Sequence, residues 1–128
     1  MPRLIKAENK DMEFVSSFNL KTLDNVYLIN FNGETVGIIE YTQRFEEDGD
    51  DTQKITRIEY IEILEKYRRK RIASFVIDIF RGSGEYYIYG DALPSSVEFW
   101  KSVNAEFDGE DEDIDYYIEN DTCLPFFI

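Results

Sequence analysis

Apolar positions along this chain recur with two different periods, and the changes of period mark its elements. Val26–Phe31 and Thr35–Tyr41 are β-branched and aromatic runs on either side of Asn32-Gly33, a hairpin turn signature. Lys54–Ile63 reads as a strand, with isoleucines at 55, 58, 61 and 63 among charged residues. Their parity changes between Ile58 and Ile61, so keeping one face inward requires a bulge there. In Ile72–Arg81 the residues Ile72, Phe75, Val76, Ile79 and Phe80 fall on one helical stripe, with Ser74 and Asp78 outward. Gly82-Ser83-Gly84 ends that helix with a left-handed cap, and Tyr86–Tyr89 is a further strand.

Pro94 opens a second helix running to about Val103, with Phe99, Trp100 and Val103 on its buried side. Arg3–Ala7 reads as a short strand, and Asp11–Phe18 as a short helix with Met12, Val15 and Phe18 inward. Glu46–Asp51 reads as a solvated loop, and the last quarter as two antiparallel strands, Tyr116–Ile118 and Leu124–Ile128. The order predicts an α/β (α+β) domain whose mixed sheet is covered by helices. At 128 residues, without repeats or a linker, one domain is expected over residues 1–128.

Composition narrows the chemistry. Histidine is absent and Cys123 is the only cysteine, which removes Ser-His-Asp and Cys-His nucleophiles, an internal disulfide and the usual zinc sites. No metal is expected. A lone thiol suits a reducing, cytoplasmic location, and no run has the length of a signal peptide core or a membrane span. The net charge of −13 disfavours direct binding to a nucleic-acid backbone, which works by neutralising phosphates.

Against that acidity, Lys66, Arg68, Arg69, Lys70 and Arg71 crowd the turn between the Lys54–Ile63 strand and the Ile72 helix. A helix N-terminus carries about half a positive charge, so exposed cations there cost on the order of 0.3–1 kcal/mol each. A solvated basic turn accounts for the charge count alone. The placement favours an anion held by backbone N–H groups and cations together.

Tyr67-Arg68-Arg69-Lys70-Arg71-Ile72-Ala73 resembles the acetyl-CoA pyrophosphate loop of the GCN5-related N-acetyltransferases, Arg/Gln-x-x-Gly-x-Gly/Ala, with Arg71 in place of the first glycine and Ala73 as the final small residue. Ser96–Phe107 resembles the family's Ser/Ala-x-x-Phe-Tyr/Trp stretch, and the Asn32-Gly33 hairpin its second and third strands. The resemblance spans about Asn25–Phe107 and implies a mixed, mostly antiparallel sheet with helices on both faces and a shortened N-terminal region. It also implies acetyl-CoA as co-substrate. Ile61 and Ile63 would offer backbone groups to the pantetheine arm at the bulge, where the family's parallel strands part. Backbone N–H groups from Arg69 through Arg71, Ile72, Ala73 and Ser74 would hold the pyrophosphate, with charge from Arg68 and Lys70. A residue other than glycine at 71 would meet a conformational cost if φ must be positive there.

Direct transfer to an amine in a ternary complex needs a base and a proton for the leaving thiolate. Glu59, acting through water and with its pKa raised by burial, is the first candidate base and Glu62 the second. Each reads equally as an exposed strand carboxylate. Trp100 stands where the family commonly has its proton-donating tyrosine, and Tyr89 or Tyr60 are the substitutes.

The acidic runs 46–51 and 108–115 favour a cationic acceptor: a polyamine, an aminoglycoside-like amine, or a lysine or N-terminus of a basic protein. The alternative is a catalytically degenerate domain of this fold acting as an acidic inhibitor or interaction module that mimics nucleic acid. An exposed strand edge or the aromatic tail at Phe126-Phe127 is compatible with a homodimer under either reading.

Overall fold

A computed structural model describes residues 2–68, 70–82, 86–107, 115–116, 119–120 and 122–128. Its strands are β1 (Arg3–Lys6), β2 (Val26–Phe31), β3 (Glu34–Asp48), β4 (Asp51–Ile63), β5 (Tyr86–Ala92), β6 (Glu106–Phe107) and β7 (Leu124–Phe127). The helices are α1 (Met12–Ser16), α2 (Ile72–Arg81) and α3 (Val97–Ser102). The strands are ordered β1-β2-β3-β4-β5-β7-β6, and β4–β5 is the parallel pair in an otherwise antiparallel sheet. This is the expected mixed sheet. The residues group into two compact units, Met1–Thr42 with Glu59–Gly82, and Gln43–Ile58 with Ser83–Ile128.

In the first unit, Asn32 (φ 53°) and Gly33 (φ 83°) both take positive φ, the turn that Asn-Gly favours between twisted strands. Leu28 pairs with Ile38 and Val26 with Glu40, so even-numbered residues share a face, and there Val15 of α1 packs on Val26, Leu28 and Ile38. Tyr27 and Tyr41 occupy the other face, stacked at 4.7 Å, and Phe80 of α2 meets Tyr41 edge-on. Helices therefore cover both faces of this part of the sheet. The helix α2 has the predicted bounds, and of its five predicted inward residues Ile72, Val76 and Phe80 are buried. Phe75 is half-buried and Ile79 is 38% exposed, and Ile77 is buried as well.

In the second unit, the acidic segment expected to be a loop is mostly strand. Strand β3 runs to Asp48, Gly49 (φ 66°) and Asp50 make the turn, and β4 starts at Asp51. A glycine in the left-handed region closes a tight hairpin and need not break one. The parallel register runs from Lys54↔Tyr86 to Ile58↔Gly90, where a Cβ on Gly90 would lie 2.5 Å from the Ile58 carbonyl oxygen. Trp100 of α3, buried with Val97 and Val103, stacks on Phe126 at 3.9 Å.

The C-terminal expectation is corrected in part. Leu124–Phe127 is a strand, but it pairs with β5 and β6. Asp115 and Tyr116 are helical, not strand; Tyr117 and Ile118 lie outside the described residues, as do 108–114 of the acidic run and Ser83-Gly84. Gly82 has φ 22° and ψ −156°, outside the left-handed helical region expected of a cap.

Candidate active site

The predicted site residues are contributed by the last five residues of β4, the turn after it, and the first turn of α2. The turn is held to the sheet at its start, where the Leu64 N–H donates to the Val36 carbonyl at 2.8 Å. A single 3₁₀ turn, Glu65–Tyr67, follows, with the Tyr67 N–H on the Leu64 carbonyl at 2.9 Å. Tyr67 hydroxyl donates to the Glu34 carboxylate, and Lys66 and Lys70 place their ammonium groups 4.9 and 5.8 Å from the Tyr67 ring. Each contact is a cation–π attraction that offsets part of the repulsion the sequence concentrates here.

Arg71 is the hinge of this turn. It caps α2 with φ 59° and ψ 20°, the left-handed conformation, and its carbonyl accepts the Phe75 N–H at 3.0 Å. A long side chain there costs on the order of 1–3 kcal/mol relative to a relaxed conformation. Among the described residues no side chain caps α2, and no acidic residue stands in its first turn. Ile72 is buried, Ala73 and Ser74 are half-buried, and Lys70 and Arg71 are exposed. Arg69 lies outside the described residues.

The guanidinium of Arg68 turns back onto β4. Its Nε donates to the Ile63 carbonyl at 2.8 Å, and Nη2 lies 3.2 Å from Glu62 Oε1. The other oxygen of Glu62 accepts from the Tyr60 hydroxyl. Burial, then the hydrogen bond to Glu62, push the Tyr60 phenol well above its ordinary value, with Arg68 pulling partly back. Phe18 meets the Tyr60 ring edge-on at 6.5 Å, so this network rests on the α1 side of the sheet. Arg68, predicted to add charge to a pyrophosphate, is committed here to the strand end and to Glu62.

Glu59, the first candidate base, is exposed, so the burial expected of it is missing. It nonetheless sits within electrostatic reach of Glu40 on β3, whose carboxyl is raised first by its own burial and then by Glu59. Glu40 was missed by the sequence reading. Its signal was available, since an inward position in an otherwise apolar β3 run, Val36–Tyr41, is an unusual place for a carboxylate. Of the other backbone candidates, Ile63 is buried and Ile61 half-buried.

Gln43 Nε2 donates to Thr56 Oγ1 at 3.1 Å. In the first unit, Tyr60 packs against the cluster of Ala7, Val15, Val26, Leu28 and Ile38. Thus Tyr60 and Glu62 share the α1 side.

Of the substitute proton donors, Tyr60 is already bonded to Glu62, and Tyr89 in the second unit is half-buried with Arg57 5.5 Å from its ring centre. Among the described residues, no group of His, Cys, Asp and Glu has the arrangement of a metal site, and no helix is long and apolar enough to cross a membrane.

No family model and no curated protein sequence matches this chain. Solved structures do. The Bacillus subtilis N-acetyltransferase YlbP, in complex with coenzyme A, matches 100% of this chain and 96% of its own length, with a TM-score of 0.68 at 14% identity. Arabidopsis thaliana Naa50, in complex with the bisubstrate analogue CoA-Ac-MVNAL, matches 99% of this chain and 97% of its own, with a TM-score of 0.64 at 18% identity. A spermidine N-acetyltransferase SpeG chimera from Vibrio cholerae and hSSAT matches 99% of this chain and 94% of its own, with a TM-score of 0.59 at 15% identity. The chain has the fold of the GCN5-related N-acetyltransferases, in a divergent form.

Proposed function

We propose that this chain is an acetyl-CoA-dependent N-acyltransferase acting on a primary amine that is cationic when free: a polyamine, an aminoglycoside-like amine, or a lysine or N-terminus of a basic protein. The observation that carries the reading is the left-handed Arg71 at the uncapped start of α2. The strand–turn–helix keeps the backbone form in which successive N–H groups converge on an anion, although the residue that usually makes this form inexpensive is absent. The solved relatives of this fold, with coenzyme A or a bisubstrate analogue bound, support the same reading.

On this reading the N–H groups of Arg71, Ile72, Ala73 and Ser74 hold the pyrophosphate, with Arg69, Lys70 and Arg71 adding charge. Main-chain groups of Ile61 and Ile63 take the pantetheine amides. Arg68 acts from behind by fixing the Ile63 carbonyl and Glu62. The acceptor amine, once neutral, attacks the thioester carbonyl: the C–N bond forms, the C–S bond breaks, and the sulfur leaves as thiolate to be protonated. Glu59 receives the amine proton through water. Glu62, held by Tyr60 and Arg68, is the weaker candidate. The paired carboxylates Glu40 and Glu59 favour a positively charged acceptor.

A second reading, an acidic interaction module that has lost catalysis, is favoured by one observation. Trp100, at the family's proton-donor position, is 3% exposed and stacked on Phe126, so nothing there supplies a proton. Thermal shift with acetyl-CoA separates the two. Ligand at 100 times its Kd stabilises a folded protein by about 2.7 kcal/mol. The enzyme reading expects such a shift, its loss on neutralising Arg68, Arg69 and Lys70 together, and acetylation of spermidine or a basic peptide. Absence of any shift at about millimolar acetyl-CoA overturns it.

A further inference from the structure

The far end of β3 is a strand edge whose charges are complementary to themselves. Strand β2 pairs with β3 only as far as Val26↔Glu40, after which the Tyr41 N–H donates to the Asn25 carbonyl at 3.0 Å. Beyond that point β3 continues for seven residues to Asp48, and its neighbours among the described strands are β2 and β4. Peptide groups alternate sides along a strand, so Gln43, Phe45 and Glu47 present N–H and C=O on the side where Tyr41 meets Asn25. Among the described residues no strand takes them. Thr42–Glu47 is exposed, with Phe45 at 68%.

We propose that this edge pairs with the same edge of a second copy, antiparallel about a two-fold axis at Phe45. In that register Phe45 faces its own counterpart as a hydrogen-bonded pair, and Gln43 faces Glu47 of the other copy. Arg44 faces Glu46, twice, by symmetry. Arg44 Nη1 already lies 2.6 Å from Glu46 Oε1 within one chain, so the two charges share a face, and pairing closes four of them into a ring on that face. The two Phe45 rings meet on the opposite face. The other long edge argues by contrast: self-pairing of β1 sets Arg3 against Lys6, and β6 is two residues long. Among the described strand edges, the β3 end is the one attractive to itself. The contact is small, so the dimer is weak and concentration-dependent. It does not depend on acetyl transfer.

Sedimentation of the full-length chain over a range of concentrations tests the proposal. Wild type is expected to dimerise. Arg44→Glu and Glu46→Arg each place like charges opposite one another and should weaken the dimer about tenfold. The double exchange Arg44→Glu/Glu46→Arg restores opposite charges and should recover wild-type affinity. Phe45→Pro removes the central N–H donors and should abolish dimerisation. A chain that stays monomeric at about 1 mM overturns the proposal. So does a dimer indifferent to the single exchanges, or a double exchange as weak as either single one.

Discussion

Gly37 of β3 lies directly against the Glu62 carbonyl of β4, so closely that a Cβ on Gly37 would overlap that oxygen and press on Ile63. The obstacle is backbone, which cannot rotate away. Gly37→Ala is therefore expected to destabilise the protein by about 2–4 kcal/mol, read from the denaturant midpoint. It should also weaken coenzyme A binding, because Glu62 and Ile63 lead into the cationic turn.

Arg71 offers a cleaner separation of backbone from side chain. Arg71→Gly relieves the left-handed strain while adding chain entropy in the unfolded state, so stability should change by less than about 1 kcal/mol. Arg71→Val puts a β-branched residue where such residues are true outliers and should cost about 2 kcal/mol. On the proposed reading, in which main-chain groups hold the pyrophosphate, acetyl-CoA affinity should survive the first change and fall with the second. Paired urea titrations and calorimetric binding measurements decide the matter.

Glu40 sets a pH signature. Its carboxyl is raised above the ordinary 4.5, by burial first and by Glu59 second, so the folded state favours the protonated form. The stability it contributes is present below pH 4.5 and is lost as pH rises through the raised value. At neutral pH the ionised group opposes folding. Glu40→Gln should therefore raise the melting temperature at pH 7 and lose that advantage at acid pH. An equal gain at both would assign the effect to something other than charge.

Trp100 is a structural residue in its own unit. Removing its ring from Phe126 by Trp100→Ala should cost about 3–5 kcal/mol, and Trp100→Phe less, since a ring remains. If Trp100→Ala left the denaturation curve unmoved, the stack would not be the anchor of α3.

Local chemistry made much of this molecule legible from its sequence. Asn32-Gly33 specified a turn with two positive φ values, and α2 ends at Arg81 as its pattern predicted. What stayed hidden depended on partners distant in the chain. The burial of Ile77 over Ile79 follows from where α2 lies on the sheet. The acidic run was misread because like charges repel in a loop and a strand alike, while pairing of β3 with β4 compensates only in the strand. At the candidate site, the cations were visible as a cluster. The turning of Arg68 toward Ile63 and Glu62 was not, because no spacing rule links a guanidinium to a carbonyl five residues earlier. Glu40 was overlooked for a related reason: its meaning comes from Glu59 on the adjacent strand.

The alternation of sides along β4 also limits how this strand can vary. Deleting any single residue from the stretch between Thr56 and Tyr60 would invert everything downstream, swinging the Tyr60 phenol outward from its layer and carrying the Glu62 latch with it. A shorter strand is thus not a milder version of the present one; the length itself is a specification, and indels here should be far more damaging than substitutions.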